Sequence, residues 1–325
     1  MPRVTSADIA RAAGVSRTTV SYVLNDTPGV SVSGATRERV RAVADRLGYA
    51  PSAAARALRR GRSDLVVAVL PDWPVGPVVD DLLDHLTDVL ASRGLFVLVH
   101  HHRDSRDLAD LWRAVSPLAV VGLAPFTPAD ASAMTRAGIQ VVGSVEPGGE
   151  PGTGDFDASQ RGIGALQARH LAGAGHPRLA YATTDDPRLG RFAAARLAGF
   201  REACATLGLP SPRPVAVPVG VPATAAVRAW SGAGVTAVAA YNDDVALAVL
   251  AGAREAGLAV PSALAVVGVD DSPAARVAAP PLTTVAQPVD RQAEHLAAEV
   301  LAALDGRDTP PWPSDGARVV VRGSA

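Results

Sequence analysis

The sequence predicts two folds in series: a small all-α unit over the first fifty residues, followed by a larger α/β core of parallel sheet in two lobes. Three observations carry this. The hydrophobic pattern changes at about residue 65, from helical spacings of three and four to short continuous apolar runs that alternate with helical stretches. The 325 residues exceed what one small hydrophobic core can organise. Charge is segregated along the chain. Residues 1–62 hold eleven arginines against Asp8, Asp26, Glu38 and Asp45, a net +7, so within a total of −1 the remainder carries −8.

In the first unit, the stretch SADIARAAGVSRTTVSYVLN, from Ser6 to Asn25, reads as two short helices broken at Gly14. Ser6 is expected to cap the first helix and Ser16 the second. Ile9, Ala10, Ala13, Val15, Val20, Val23 and Leu24 recur at spacings that give the pair a shared apolar face. A third amphipathic helix is predicted over about 36–47, with Val40, Val43, Ala44 and Leu47 inside and Arg37, Arg39, Arg41 and Arg46 outside. Three such helices can close one small core, with the turn-rich DTPGVSV at the surface. The following SAAARALRRGRS is helix-competent but has little to bury, so it reads as a linker that orders only against a partner.

In the core, LVVAVL, LFVLVH, LAVVGL, IQVVG, RLAYAT, VTAVAAY and LAVVGV read as strands. Helical patterns over 78–93, 159–174, 191–207, 243–256 and 290–304 alternate with them. Continuous apolar strands alternating with helices predict parallel sheet buried on both faces. About 260 residues divide naturally into two lobes, and ligands in such sheets bind beyond the carboxyl ends of the strands.

Several function classes are disfavoured. No N-terminal segment has a signal-peptide layout and no apolar run approaches the roughly 20 residues of a membrane helix, so a cytoplasmic protein without membrane contact is expected. The single cysteine, Cys204, is expected to be an inert packing residue. His100, His101 and His102 end a strand, where successive side chains point to opposite faces and cannot converge on one metal ion. The glycine clusters lack the context of a phosphate loop, and no nucleophile–base pair stands out, so no cofactor, metal or catalytic residue is assigned.

A basic head on an acidic body suits nucleic-acid contact. When two short helices join at a tight turn, the second can enter the major groove, and its exposed positions must offer donors and methyl groups to base edges. Arg17, Thr18 and Tyr22 occupy those positions. Thr5, Ser16, Thr19, Ser21 and Asn25 are candidates for phosphate contact and capping, which set register without reading sequence.

VTSADIARAAGVSRTTVSYVLN, followed by VSGATRERVRAVADRLGYAPSAAARALRRGRS, resembles the DNA-binding head and hinge of the LacI/GalR family of bacterial regulators. The resemblance continues through GIGALQARHLAGAGHPRLAYAT, RLAGFREACATLGL, YNDDVALAVLAGAREAGLAVPSALAVVGVDDS, PPLTTVAQP and VVVRGS, covering essentially the whole chain. It implies a helix-turn-helix domain over 1–50, a hinge over 51–63 and an effector-binding core over 64–325 like type I periplasmic binding proteins. The lobes of that core are expected at about 64–158 with 288–315, and 159–287 with 316–325. It also implies a homodimer on double-stranded operator DNA, acting as a repressor whose affinity changes when a small molecule enters the cleft between lobes.

By the same resemblance Arg17, Thr18 and Tyr22 are the base-reading residues; Tyr22 departs from the family, where arginine is commonest. Ala55, Leu58 and Arg59 match the hinge, whose leucine in this family wedges into the minor groove. Arg196, Asn242, Asp270 and Gln287 match positions around the effector, with Asp72 and Trp73 at the exit of the first strand. Arginine and aspartate facing one pocket suit polyols, so a sugar or sugar-like effector is expected. Caps or turns are the competing roles for Asn242 and Asp270, and the favoured ones for Asp243 and Asp271. Val78 and Val79 replace aromatic residues common in the family, a gap Trp73 is positioned to fill. A non-sugar effector, or none, stays open. A solute-binding protein would share the core but have no use for residues 1–62.

Overall fold

The computed structural model describes residues 4–26, 29–49, 63–103, 108–143, 155–308, 311 and 316–325, without the side chains of 155 and 156. The chain separates into two compact units, Met1–Ser63 and Asp64–Ala325.

The first unit contains α1 (Ser6–Ala13), α2 (Arg17–Leu24) and α3 (Gly34–Arg46). Its first helix starts differently from the expectation. Thr5, in extended conformation, is the N-cap, and Ser6 is already helical. The cause is Asp8, whose carboxylate accepts the Thr5 backbone N–H at 3.0 Å and its hydroxyl at 2.7 Å, tying the chain down one residue earlier. Gly14, at φ 66°, ends α1 in the left-handed conformation that glycine adopts without strain. Ser16 caps α2 as expected, accepting from the Thr19 N–H at 3.0 Å. Ile9, Val20, Val23 and Val40 are fully buried in the common core, with Val15, Leu24 and Leu47 at its rim. Full burial stabilises by about 1.5–3 kcal/mol per large aliphatic side chain, enough to hold three helices too short to persist alone.

In the second unit, four described strands form one parallel sheet in the order β2-β1-β3-β4: β1 (Leu65–Leu70), β2 (Phe96–His101), β3 (Ala119–Gly122) and β4 (Gln140–Val142). Between them lie α4 (Pro77–Ala91), α5 (Leu108–Val115) and α6 (Pro128–Arg136). The second lobe comprises α7 (Asp155–Gly173), β5 (Leu179–Thr183), α8 (Gly190–Thr206), β6 (Pro214–Ala216), α9 (Thr224–Gly232), β7 (Ala237–Ala240), α10 (Asp243–Glu255), β8 (Ala265–Val269), α11 (Pro273–Val277) and β9 (Thr283–Ala286). The chain then returns to the first lobe as α12 (Val289–Asp305). There Ala293, Leu296, Ala297 and Val300 pack with Val66, Leu86, Leu90 and Val121. It ends in β10 (Arg318–Val320), back on the second sheet, whose order is β10-β9-β8-β7-β5-β6.

Two features depart from an all-parallel, doubly covered sheet. The strand β10 runs antiparallel to β9, with Val319 opposite Val285. Among the described residues β2 pairs only with β1, leaving Phe96 67% exposed, with Leu98 and Val99 also at the surface. Its apolar run gives no sign of this, because an edge strand and a central strand are equally apolar when the edge has its own surface to cover.

Two glycines set the approach of α7 to α8. A Cβ on Gly164 would stand 1.9 Å from the Arg196 carbonyl oxygen, and one on Gly199 would stand 2.0 Å from that of Arg161. The helices therefore touch backbone to backbone. The fully buried Gln167 of α7 donates to the carbonyls of Ala240 at 2.8 Å and Gly268 at 3.2 Å, fastening the helix to β7 and β8. Among the described residues no helix is long and apolar enough to cross a membrane.

Candidate functional site

Two surfaces gather the candidate residues. On α2, Arg17, Thr18, Ser21, Tyr22 and Asn25 share the face opposite Val20 and Val23, since positions four apart stack on a helix. Arg17, Thr18 and Asn25 are exposed, while Ser21 and Tyr22 are half-buried. Arg17 has no acidic partner among the described residues, whereas Arg37 and Arg41 of α3 are both held by Asp26, at 2.6 and 2.9 Å. The difference leaves Arg17's guanidinium available to an outside acceptor. Ser16 and Thr19 are committed to the cap, their hydroxyls 2.9 Å apart, and the Thr5 hydroxyl serves Asp8. The Asn25 side-chain amide donates to the Ser21 carbonyl. Ala55, Leu58 and Arg59 lie outside the described residues.

The second surface is a cleft of about 2250 Å³ in the core, lined from the first lobe by Trp73, Val78, Val79 and Leu123 and from the second by Arg196, Tyr241, Asp270 and Gln287. It opens at the carboxyl ends of strands, as open α/β sheets dictate. Arg196 on α8 is 4% exposed. Its Nε donates to Gln160 Oε1 at 2.8 Å and its Nη1 to the Tyr241 carbonyl at 2.8 Å, while its guanidinium lies 4.8 Å from the centre of the Tyr241 ring. Arg196 Nη2 stands 4.0 Å from Asp270 Oδ1, which also accepts from Gln287 Nε2 at 2.8 Å. Asp270 follows β8 at φ 112°, a conformation that costs a non-glycine residue energy.

Burial pushes the Asp270 carboxyl up to about 6 against the pull of Arg196, and the neighbouring Asp243 raises it further. The Tyr241 phenol is pushed up to about 12, again by burial first. The arrangement is a fixed donor beside a fixed acceptor, which can bind a hydroxyl from both sides.

The remaining candidates divide by role. Asn242 caps α10, accepting from the Val245 N–H at 3.0 Å, and also lines the cleft. Asp243 is buried and accepts from the Ser272 N–H at 2.7 Å and the Thr284 hydroxyl at 2.6 Å, a structural tie among the ends of β7, β8 and β9. Trp73 lies in the cleft edge-on to Phe192 of α8, with ring centres 4.7 Å apart. Asp72 is not among the lining residues and pairs with Arg103 at 3.6 Å. Cys204 is buried on α8, and burial raises its thiol pKa. Gln160, Tyr241 and Phe192 escape the sequence reading. Gln160 and Arg196 sit one turn before Gly164 and Gly199, so the paired helical glycines are the signal that could have brought the two side chains together.

Comparison with known proteins follows this division. A family model for bacterial regulatory proteins, lacI family, matches residues 5–52, and one for a periplasmic binding protein-like domain matches residues 168–325. The chain is 30% identical over 316 residues to the HTH-type transcriptional regulator GalR of Escherichia coli (strain K12), covering 93% of this chain and 90% of that protein. It is 31% identical over 321 residues to the HTH-type transcriptional regulator CelR of Thermobifida fusca, covering 93% and 92%. Among solved structures, a transcriptional regulator CelR–cellobiose complex matches at TM-score 0.64 and 27% identity, over 99% of this chain and 100% of that one. The lac repressor dimer bound to operator and the anti-inducer ONPF matches in fold at TM-score 0.80, with 23% identity over 99% of each chain.

Proposed function

We infer how this protein works from one premise: the chain belongs to the lacI family of bacterial regulatory proteins and is a DNA-binding transcriptional regulator. It acts as a cytoplasmic repressor. In this reading α2 lies in the major groove with Arg17, Thr18 and Tyr22 at base edges. Thr5, Ser16, Thr19, Ser21 and Asn25 hold the register on phosphates, and Ala55, Leu58 and Arg59 of the hinge follow in the minor groove. The observation that carries it is the α2 face, where Arg17 is exposed and has no acidic partner among the described residues while Ser16 and Thr19 are held in the cap. A homodimer presents two such faces to an inverted repeat. The exposed apolar edge of β2 supports this, since Phe96 and Leu98 on one face of the strand, with Val99 on the other, leave an edge that a second copy would cover.

The core senses a small polar molecule, a sugar or sugar derivative, held by Arg196, Asp270 and Gln287 with Trp73 and Asn242 beside them. The fixed donor–acceptor set supports this class, as does similarity to a regulator solved with cellobiose. The cleft binds its ligand without transforming it. Binding shifts the balance between two arrangements of the lobes, by no more than the ligand's preference for one of them.

Selection of bound DNA from a random pool should return an inverted repeat. A single asymmetric half-site would overturn the dimeric reading, and no enrichment would overturn DNA recognition by this head. A thermal shift series over sugars tests the sensor, because a ligand at 100 times its Kd adds about 2.7 kcal/mol to the bound state.

A further inference from the structure

Three pairs of aspartates in the second lobe follow neighbouring strands. Asp185 and Asp186 follow β5, Asp243 and Asp244 follow β7, and Asp270 and Asp271 follow β8, strands that lie side by side in the order β8-β7-β5. In each pair one carboxylate is consumed inside the protein. Asp186 holds Arg188 at 2.6 Å, Asp243 takes the Ser272 N–H and the Thr284 hydroxyl, and Asp271 lies between Arg276 and Arg322. Asp185, Asp186, Asp243, Asp244 and Asp270 all line the cleft, and Asp270 accepts there from Gln287. Asp185 and Asp244 are exposed and have no cationic partner among the described residues.

The cations of the cleft are already committed. Among the described residues it is lined by four arginines against seven carboxylates, a formal charge of −3. Arg188 is held by Asp186, Arg191 by Asp157, Arg161 by Glu202, and Arg196 faces Asp270. The carboxylates act on one another, for Asp243 and Asp244 both raise the Asp270 carboxyl, and Asp270 and Asp186 both raise the Tyr241 phenol. A second observation concerns the rings. Trp73 and Phe192 line the same space edge to face, and aromatic rings attract a cation, whereas the Tyr241 ring is already covered by Arg196.

We propose that the effector of this protein carries a protonated amine, as an amino sugar does, and that Asp185 and Asp244 recognise the ammonium group from the ends of β5 and β7. This rests on the reading of the cleft as the effector site. Asp244 stands in the first turn of α10. Anionic ligands such as sugar phosphates are disfavoured by the carboxylates of the cleft.

The test is calorimetric titration of the full chain at low salt. Its probes are glucosamine, glucose, N-acetylglucosamine and glucose 6-phosphate, the matching galactose and disaccharide series, and putrescine as an amine without a ring. The amine member of a series should bind about tenfold more tightly than its neutral counterpart, the difference between a charge-assisted and a neutral hydrogen bond. In the Asp185→Asn, Asp244→Asn double variant that ratio should fall to near one. Equal binding of amine and neutral members, or a preference for the phosphate, overturns the proposal and leaves the sugar reading standing. Binding of putrescine with no response to any sugar sustains the amine and overturns the sugar. No binding by any probe overturns both, and an unchanged ratio in the double variant overturns the assignment to these two carboxylates.

Discussion

Replacing Asp270 with asparagine should stabilise the core at neutral pH while damaging its ligand site. The Asp270 side chain is 22% exposed, and burial lifts its carboxyl from 3.8 to about 6. A raised folded-state pKa means that the native protein holds this proton more tightly than the unfolded chain. The resulting stability is fully present below pH 3.8, fades between 3.8 and about 6, and is absent above. At pH 7 the wild type therefore carries the whole penalty of a buried charge, roughly two pKa units, or about 3 kcal/mol. Asparagine removes the charge and can still accept from Gln287. Like aspartate, it is among the side chains found most often at positive φ. Arg196 loses a neighbour at the outer limit of contact and keeps Gln160, the Tyr241 carbonyl and the Tyr241 ring.

The assay is denaturant unfolding of wild type and Asp270→Asn from pH 4 to pH 8, following the transition of the core. The variant's advantage should be near zero at pH 4 and grow by about 3 kcal/mol through pH 6 to a plateau. A difference that ignores pH, or a variant less stable at pH 7, would refute the reasoning and make Asp270 a net support of the fold.

Other perturbations separate the remaining roles. Arg17→Ala should relax preference at particular base pairs by about 1–3 kcal/mol, as read by selection from a DNA pool; a uniform loss across all sequences would make it a phosphate contact. Ser16→Ala should cost the head about 1 kcal/mol by leaving the Thr19 N–H uncapped, seen as a lower unfolding midpoint of residues 1–63 with the core transition unmoved. Gly199→Ala should part α7 from α8, lower core stability by about 1–3 kcal/mol or more and weaken ligand binding through Arg196. Gly162→Ala on α7 meets open space and should instead stabilise by up to about 1 kcal/mol. Calorimetry of the two glycine variants distinguishes contact from propensity, and equal behaviour would remove the close-packing argument.

Much of this protein follows from local pattern. The three helices of the head, the alternation of strand and helix in the core, and the burial of Ile9, Val20, Val40 and Cys204 are all written in spacings of two, three and four, because a side chain's face depends on the few residues around it. The positions of Arg196, Asp270 and Gln287 were legible for a different reason: they stand beside recognisable runs of sequence, and the fold brings them to one cleft.

What local pattern leaves open is pairing at a distance. Whether Ser6 or Thr5 caps α1 depends on where the Asp8 carboxylate reaches, and both hydroxyls are equally good acceptors in the sequence. That β2 is an edge strand, that β10 runs antiparallel to β9, and that Asp243 is spent on Ser272 and Thr284 while Asp244 is left to the cleft are settled by strand order and by contacts across 29 and 41 residues. The sequence by itself determined which residues form helices, strands and apolar faces, since those are energies of neighbours in the chain. Only the tertiary structure decided which polar groups are satisfied within the protein and which remain for a ligand, because a buried charge or amide is worth what its partners in space make it.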